Sequence, residues 1–171
     1  MKHASITIRP ERDADLDRIH RITEAAFRDE THSSHTEQFI VDALRRAGQL
    51  SLSLVAEHDG AVVGHVAISP VAIASGAAGW YGLGPVSVQP DQQGRGIGSL
   101  LITAALDALK AHGGHGCVVL GNPAYYGRFG FRTHPGLTLP GVPQEYFQAL
   151  PLTGDVPAGD VRYHAAFEAV E

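Results

Sequence analysis

The run GPVSVQPDQQGRGIGSLLITAAL, Gly84 to Leu106, constrains the fold more than any other part of the chain, because it passes from strand to glycine turn to helix without a linker. Pro85 to Val88 carries two β-branched residues in alternation, and Pro90-Asp91 is turn chemistry. Ile97, Leu101, Ala104, Ala105 and Ala108 then repeat at helical spacing. The first turn of such a helix holds backbone N–H groups without partners, and its macrodipole places roughly half a positive charge there. Gly94, Gly96 and Gly98 leave room for a bulky anion to approach the backbone and permit left-handed conformations. The junction therefore reads as a phosphate cradle.

A chain of 171 residues can bury one sizeable core, so residues 1–171 are expected to form a single domain. Its longest apolar runs, such as Ala67 to Ala74, are broken by Ser69 and Pro70 well short of a membrane span. The formal charge is −5, with two lysines (Lys2 and Lys110) and eleven scattered arginines. That distribution does not favour a nucleic-acid partner. The amino terminus carries Lys2 but no apolar h-region, which argues against a signal peptide, and one cysteine makes no internal disulfide. A cytoplasmic protein without membrane contact is the expectation, and whether it acts alone or as a homodimer stays open.

Strand-like alternation spans Ser5 to Arg9, and a helix is predicted over Asp13 to Phe27 with Leu16, Ile19, Ile22, Thr23 and Phe27 on one face. Ser34 to Glu37 has the letters of a capping box, predicting a second helix with Phe39, Ile40, Ala43, Leu44 and Ala47 inward and Gly48 at its end. Leu52 to Glu57 and Ala61 to Val71 read as strands of a hairpin turned by Asp59-Gly60. Trp80 to Val88 is the next strand, followed by the helix Ile97 to Ala111 and a buried strand, Gly116 to Leu120, which together make a βαβ unit. Pro123 can start a short helix. Beyond it lies a loop-rich extension with a helical patch at Gln144 to Ala149 and a final strand at Val161 to Val170.

Gln93-x-x-Gly96-x-Gly98, placed after a strand and before a helix, resembles the acyl-CoA-binding motif of the GNAT N-acetyltransferase superfamily. Asn122 with Tyr126-x-x-x-Gly130-Phe131 is similar to that superfamily's second signature. The fuller phrases LGPVSVQPDQQGRGIGSLL and LGNPAYYGRFGF resemble its YhbS-like branch. The order of elements from Ser5 to Phe131 agrees with the family fold, a single α/β domain whose mixed, mostly antiparallel central sheet is flanked by helices. The core is expected at residues 5–132, with a carboxy-terminal extension ending in a strand.

The resemblance implies an acyl-CoA-dependent enzyme that transfers acetyl from acetyl-CoA to a primary amine by direct attack in a ternary complex, without a metal. It implies that amides from Gly94, Arg95, Gly96, Ile97, Gly98 and Ser99 hold the pyrophosphate beside Gln93, and that the backbone of Val86, Ser87 and Val88 pairs with pantetheine. Asn122 and Tyr125 would shape the cosubstrate site, and Tyr126 would protonate the departing thiolate. A phenol of pKa about 10 remains protonated at neutral pH and can serve a thiolate whose acid titrates near 8.5. No carboxylate lies between Trp80 and Val88, so the general base stays open among Ser87, His65, Glu37 and a water chain.

Rival readings fail on particular letters. A dinucleotide fingerprint needs glycine where Ser99 stands, and a P-loop needs Gly-Lys-Ser/Thr. His32-x-x-His35 and His112-x-x-His115 lack a third ligand at metal spacing, and Cys117 sits in an apolar strand. A CoA-binding sensor without catalysis, another acyl donor and a hydroxyl acceptor remain alternatives. The acceptor surface is expected on the first helices, at Arg28 to Ser33 and after Gly136, where no motif names it.

Overall fold

A computed structural model describes residues 5–171. The expectation about a signal peptide rests partly on residues 1–4, which lie outside the described residues. The chain runs β1 (Ile6–Pro10), α1 (Leu16–Phe27), α2 (Glu37–Arg46), β2 (Leu52–His58), β3 (Ala61–Ile73), β4 (Trp80–Val88), α3 (Ile97–Ala111), β5 (Gly116–Leu120), α4 (Pro123–Tyr126), β6 (Leu137–Thr138), β7 (Phe147–Pro151) and β8 (Gly159–Tyr163). The main path of the sheet is β1-β2-β3-β4-β5-β7, and β8 pairs with the far end of β3 and with β6. Along that path every pairing is antiparallel except β4 with β5. This is the mixed, mostly antiparallel α/β sheet that the sequence predicts.

Local chemistry explains the joints. Asp59 and Gly60 both have positive φ, 50° and 77°, as a two-residue type I′ hairpin demands. At the end of α3, Gly113 N–H donates to Lys110 O (3.1 Å) and Gly114 N–H to Leu109 O (3.0 Å), a Schellman closure that turns the chain directly into β5. Ile97, Leu101, Ile102, Ala105 and Leu109 of α3 are buried against one face of the sheet, over Val66, Ile68 and Leu83. Ile19, Ile22 and Val41 of α1 and α2 cover Val55 and Val62 on the other face. Two helical layers thus sandwich the sheet.

Several expectations need correction. Residues Asp13–Asp15 form a 3-10 turn before α1, because Asp15 is drawn into a bidentate pair with Arg9 (2.8 and 3.1 Å) and accepts the Arg12 N–H (2.7 Å). The capping box at Ser34 to Glu37 does not form: α2 begins at Glu37, whose carboxylate instead accepts the Ser33 hydroxyl at 2.6 Å and the Ser34 hydroxyl at 3.3 Å. The buried stripe of α2 is Gln38, Ile40, Val41 and Leu44, rotated from the expected one. The patch at Gln144 to Ala149 is helical only as a 3-10 turn, Gln144–Tyr146, after which β7 covers the outer edge of β5. Both faces of Phe147–Ala149 are buried, which removes the alternation that would have marked a strand. The last strand stops at Tyr163, and a 3-10 turn, Ala165–Glu168, follows it.

Candidate active site

β4 and β5 share only three register pairs, Trp80 with Gly116, Tyr81 with Cys117 and Gly82 with Val118. Beyond them the strands separate. β4 pairs with β3 up to Val88, but two residues, Gly84 and Pro85, stand between the pairs Ile68–Leu83 and Val66–Val86, where β3 has only Ala67. Such a bulge bends its strand and ends pairing on the far side. β5 takes β7 as its partner along its full length. The edge of β4 from Leu83 onward is left facing an opening.

Which groups face it follows from alternation. Gln89 N–H donates to Val63 O on β3 (2.8 Å), so the backbone groups of Val88 and Val86 point the opposite way, into the opening. Gln93 Nε2 donates to Val88 O (3.1 Å), fastening the glycine turn to the strand edge. Gly94 (φ 80°) and Gly96 (φ 79°) are left-handed, and a Cβ on either would meet no protein atom within 4 Å. Their need for glycine is therefore conformational, and the space above them is free for a ligand. Gly98 differs: a Cβ there would lie 3.1 Å from the Tyr125 hydroxyl. Gly96 caps α3 without a side chain, and no acid stands in the helix's first turn, so its N-terminal field is uncompensated.

The opening continues into a cleft of about 700 Å³. It brings together Val86, Val88, Gln93, Gly94, Gly96, Ile97, Gly98, Ser99, Asn122, Tyr125 and Tyr126 of the sequence-derived set. Arg95 is exposed, with Nη1 3.4 Å from Gln92 Oε1, and does not line the cleft. Ser87 is buried on the opposite face of β4, its backbone groups point to β3 by the same alternation, and it does not line the cleft, so the expectation that it meets the cosubstrate is corrected. The cleft also contains residues that the sequence did not assign to the cosubstrate site: Ala26, Phe27 and Glu30 from the end of α1 and its loop, together with Gln92 and Arg128. Arg128 is three residues beyond Tyr125, and that helical spacing was the available signal. Glu30 carried no signal beyond its expected acceptor-side loop.

Tyr126 is held by its surroundings. Asn122 Oδ1 accepts Ala124 N–H (2.9 Å) and so caps α4, while Asn122 O accepts the N–H of Tyr126 (3.0 Å). The ring stands edge-on to Tyr125 (5.0 Å between centroids) and to Phe131 (6.0 Å). A Cβ at Gly121 would lie 2.5 Å from the ring, so glycine is required there by close approach. Burial, and then the neighbouring Tyr125, push the Tyr126 phenol up to about 12. It remains a proton donor throughout the neutral range.

The base candidates lie elsewhere. His65 is fully buried on the α1/α2 face; its Nε2 is 2.8 Å from Ser53 Oγ, which also donates to Glu11. A carboxylate only accepts, so Ser53 gives its proton to Glu11 and receives Nε2–H from His65. Burial lowers the His65 pKa to about 4, against the weaker opposing pull of Glu11, which makes it a poor base at neutral pH. Glu37 is engaged by its two serine hydroxyls. Glu30 is the carboxylate that lines the cleft among the described residues. Cys117 is fully buried and its thiol is pushed well above the usual range by burial, so it is no nucleophile. Among the described residues no three His, Cys, Asp or Glu side chains form a metal-ligating group, and no helix is long and apolar enough to cross a membrane.

A splayed parallel pair, a glycine turn at a helix N-terminus and a tyrosine opposite it define an acyltransferase class, and residues 16–131 match the acetyltransferase (GNAT) family. The chain belongs to that family. It is 38% identical to the uncharacterized N-acetyltransferase YhbS of Escherichia coli (strain K12) over 142 residues, covering 78% of this chain and 84% of that protein. Among solved structures it superposes on a GNAT family acetyltransferase from Brucella melitensis in complex with acetyl-CoA, with TM-score 0.86, 52% identity and coverage of 96% of this chain and 99% of that one. The structure of Escherichia coli YhbS in complex with CoA gives TM-score 0.85 at 33% identity, covering 100% and 96% of the two chains.

Proposed function

We propose that this chain transfers an acetyl group from acetyl-CoA to an amine by direct attack within a ternary complex. The observation that carries the reading is the single cleft along which the unpaired edge of β4, the uncompensated start of α3 and Tyr126 follow one another. A diphosphate fits over the open N–H groups at Gly94 to Gly98, and the amide groups of a pantetheine arm fit the free edge at Val86 and Val88. The solved relatives bound to acetyl-CoA and to CoA support the same choice of ligand.

The thioester supplies an activated acyl carbon. The neutral amine attacks it, so that an N–C bond forms as the C–S bond breaks. An N–H of the Val86 to Val88 edge steadies the carbonyl oxygen, and the Tyr126 hydroxyl gives its proton to the departing sulfur. The nitrogen's surplus proton leaves through water past Glu30, whose charge also favours a cationic amine at that end of the cleft. Although a phenol raised to about 12 is a weak acid, the thiolate it serves is raised by the same apolar surroundings, which narrows the mismatch. A single-domain chain in the cytoplasm, acting alone or as a homodimer, belongs to this reading.

Calorimetry with acetyl-CoA, followed by a thiol-release assay over a panel of polyamines, amino acids, aminoglycosides and peptide N-termini, tests it. Micromolar binding with turnover of at least one amine is expected. No binding of acetyl-CoA or CoA would remove the reading, and binding without turnover across the panel would favour a CoA sensor.

A further inference from the structure

Arg128 is the cation of the cleft, and the reading above gives it no task. Its Nη2 lies 3.4 Å from Ser99 Oγ in the first turn of α3, and its guanidinium carbon stands 4.6 Å from the centroid of the Tyr125 ring. The side chain forms no ion pair among the described residues, although seven acid–base side-chain pairs occur elsewhere. An exposed arginine held against an aromatic face, beside a helix N-terminus and without a counter-ion, is placed for an anion.

The geometry also says which anion. Over Gly94 and Gly96 no protein atom approaches, whereas at Gly98 the Tyr125 hydroxyl stands where a Cβ would be crowded, at 3.1 Å. Tyr125 thus walls the Gly98 end of the cradle. A diphosphate on the open amides occupies the Gly94–Gly96 end of the cleft, and Arg128, over the Tyr125 ring and reaching Ser99, stands at its other end. The backbone at Gly94 and Gly96 already serves the diphosphate, so a guanidinium at the Ser99 end meets a separate phosphate on the same ligand.

Resting on the acyl-CoA reading, we propose that Arg128 binds the ribose 3′-phosphate of CoA and is the residue by which this protein prefers CoA to dephospho-CoA. Its fork supplies two parallel N–H donors to a dianionic phosphate, and Tyr125 beneath it limits the entropy lost on ordering the side chain. No covalent step is involved. The consequence is a separable contribution: removing either the arginine or the 3′-phosphate loses the same interaction.

The experiment is a cycle of four titrations by calorimetry at fixed salt: the wild-type protein and Arg128→Gln, each with CoA and with dephospho-CoA. Wild type is expected to favour CoA by about tenfold to a hundredfold. Arg128→Gln is expected to weaken CoA by that same factor while leaving dephospho-CoA within about twofold, abolishing the preference. Arg128→Lys should retain part of it, and Arg95→Gln all of it. Equal weakening of both ligands by Arg128→Gln would place the arginine on the diphosphate and overturn the proposal, as would loss of the preference in Arg95→Gln or an unchanged preference in Arg128→Gln. Failure of wild type to bind either ligand would instead strike the acyl-CoA reading itself. Because Arg128 is exposed, an unchanged melting curve is expected for its variants.

Discussion

Two hollows of nearly equal size lie on this molecule, about 700 Å³ beside the glycine turn and about 730 Å³ between the end of β3, β8 and the Ala165–Glu168 turn. Size does not separate them; backbone does. In the second hollow β3 and β8 pair from Val71–Tyr163 to Ile73–Val161, and Ala74 N–H goes to Asp160 O at 2.9 Å. Its charges are mixed, Asp160 and Glu168 with Arg162. In the first hollow a strand edge and a helix start have no backbone partner among the described residues, Val88 O taking only the Gln93 side chain. A surface whose main-chain groups are satisfied has little to offer a ligand except side chains, whereas unpaired main chain is a standing demand for one.

Substitutions on the two sides can break that contrast. The largest effect is expected from Gly96→Val, which places a β-branched side chain at φ 79° and projects it into the open cradle. Acetyl-CoA affinity should fall by more than a hundredfold in calorimetry, with ~1–2 kcal/mol of stability lost to backbone strain. Unchanged affinity would mean that the cradle is not the ligand site. Tyr126→Phe should lower kcat by about a hundredfold and leave acetyl-CoA binding within about twofold. Since the Tyr126 phenol titrates at about 12, no loss of rate attributable to it is expected between pH 7 and 10. A falling limb there that disappears in the phenylalanine variant would contradict this assignment.

The far face of β4 gives a third, different test. His65 has a folded pKa of about 4 against an ordinary value of 6.5, so as pH falls the unfolded chain takes the proton first. Its contribution is complete above about pH 6.5 and is lost on acidification toward pH 4, by ~3 kcal/mol if His65 titrates independently of its neighbours Glu11 and Arg45. Denaturant titrations should show a steeper fall in wild type than in His65→Gln between pH 6.5 and 4, the lowered Glu11 and Asp15 carboxyls adding their own fall to both. A parallel pH dependence would exclude His65 as its source. The smallest effect belongs to the second hollow: Glu168→Gln should change acetyl-CoA affinity by less than about twofold, and a larger change would show that the ligand extends there.

The region from Trp80 to Phe131 was legible because its requirements are local. A glycine is needed at a particular φ, an asparagine caps a particular turn, and Tyr126 needs Gly121 to make room, so each leaves its mark within a few residues. The turn, α3, β5 and α4 were placed from such marks. β7 was not, because it is a strand only by virtue of β5 beside it; Phe147, Gln148 and Ala149 are buried in succession and alternate in nothing. The capping-box letters at Ser34 to Glu37 misled for a related reason. Glu37 found hydroxyl partners in its own loop, and the helix began later than the pattern implied. Glu30 joined the cleft through tertiary placement. The general base could not be read at all, because proton exit depends on which groups meet across the cleft.

The separation of β4 from β5 has a thermodynamic consequence for the folded chain. A ligand that pairs with the free edge from Leu83 to Val88 binds the native state and finds no such edge on the unfolded one, so its binding free energy adds directly to folding. At a concentration one hundred times Kd the gain is ~2.7 kcal/mol. For a chain of this size that corresponds to roughly 5–11 °C in Tm. Heat resistance in this protein would thus report the concentration of whatever ligand takes that edge.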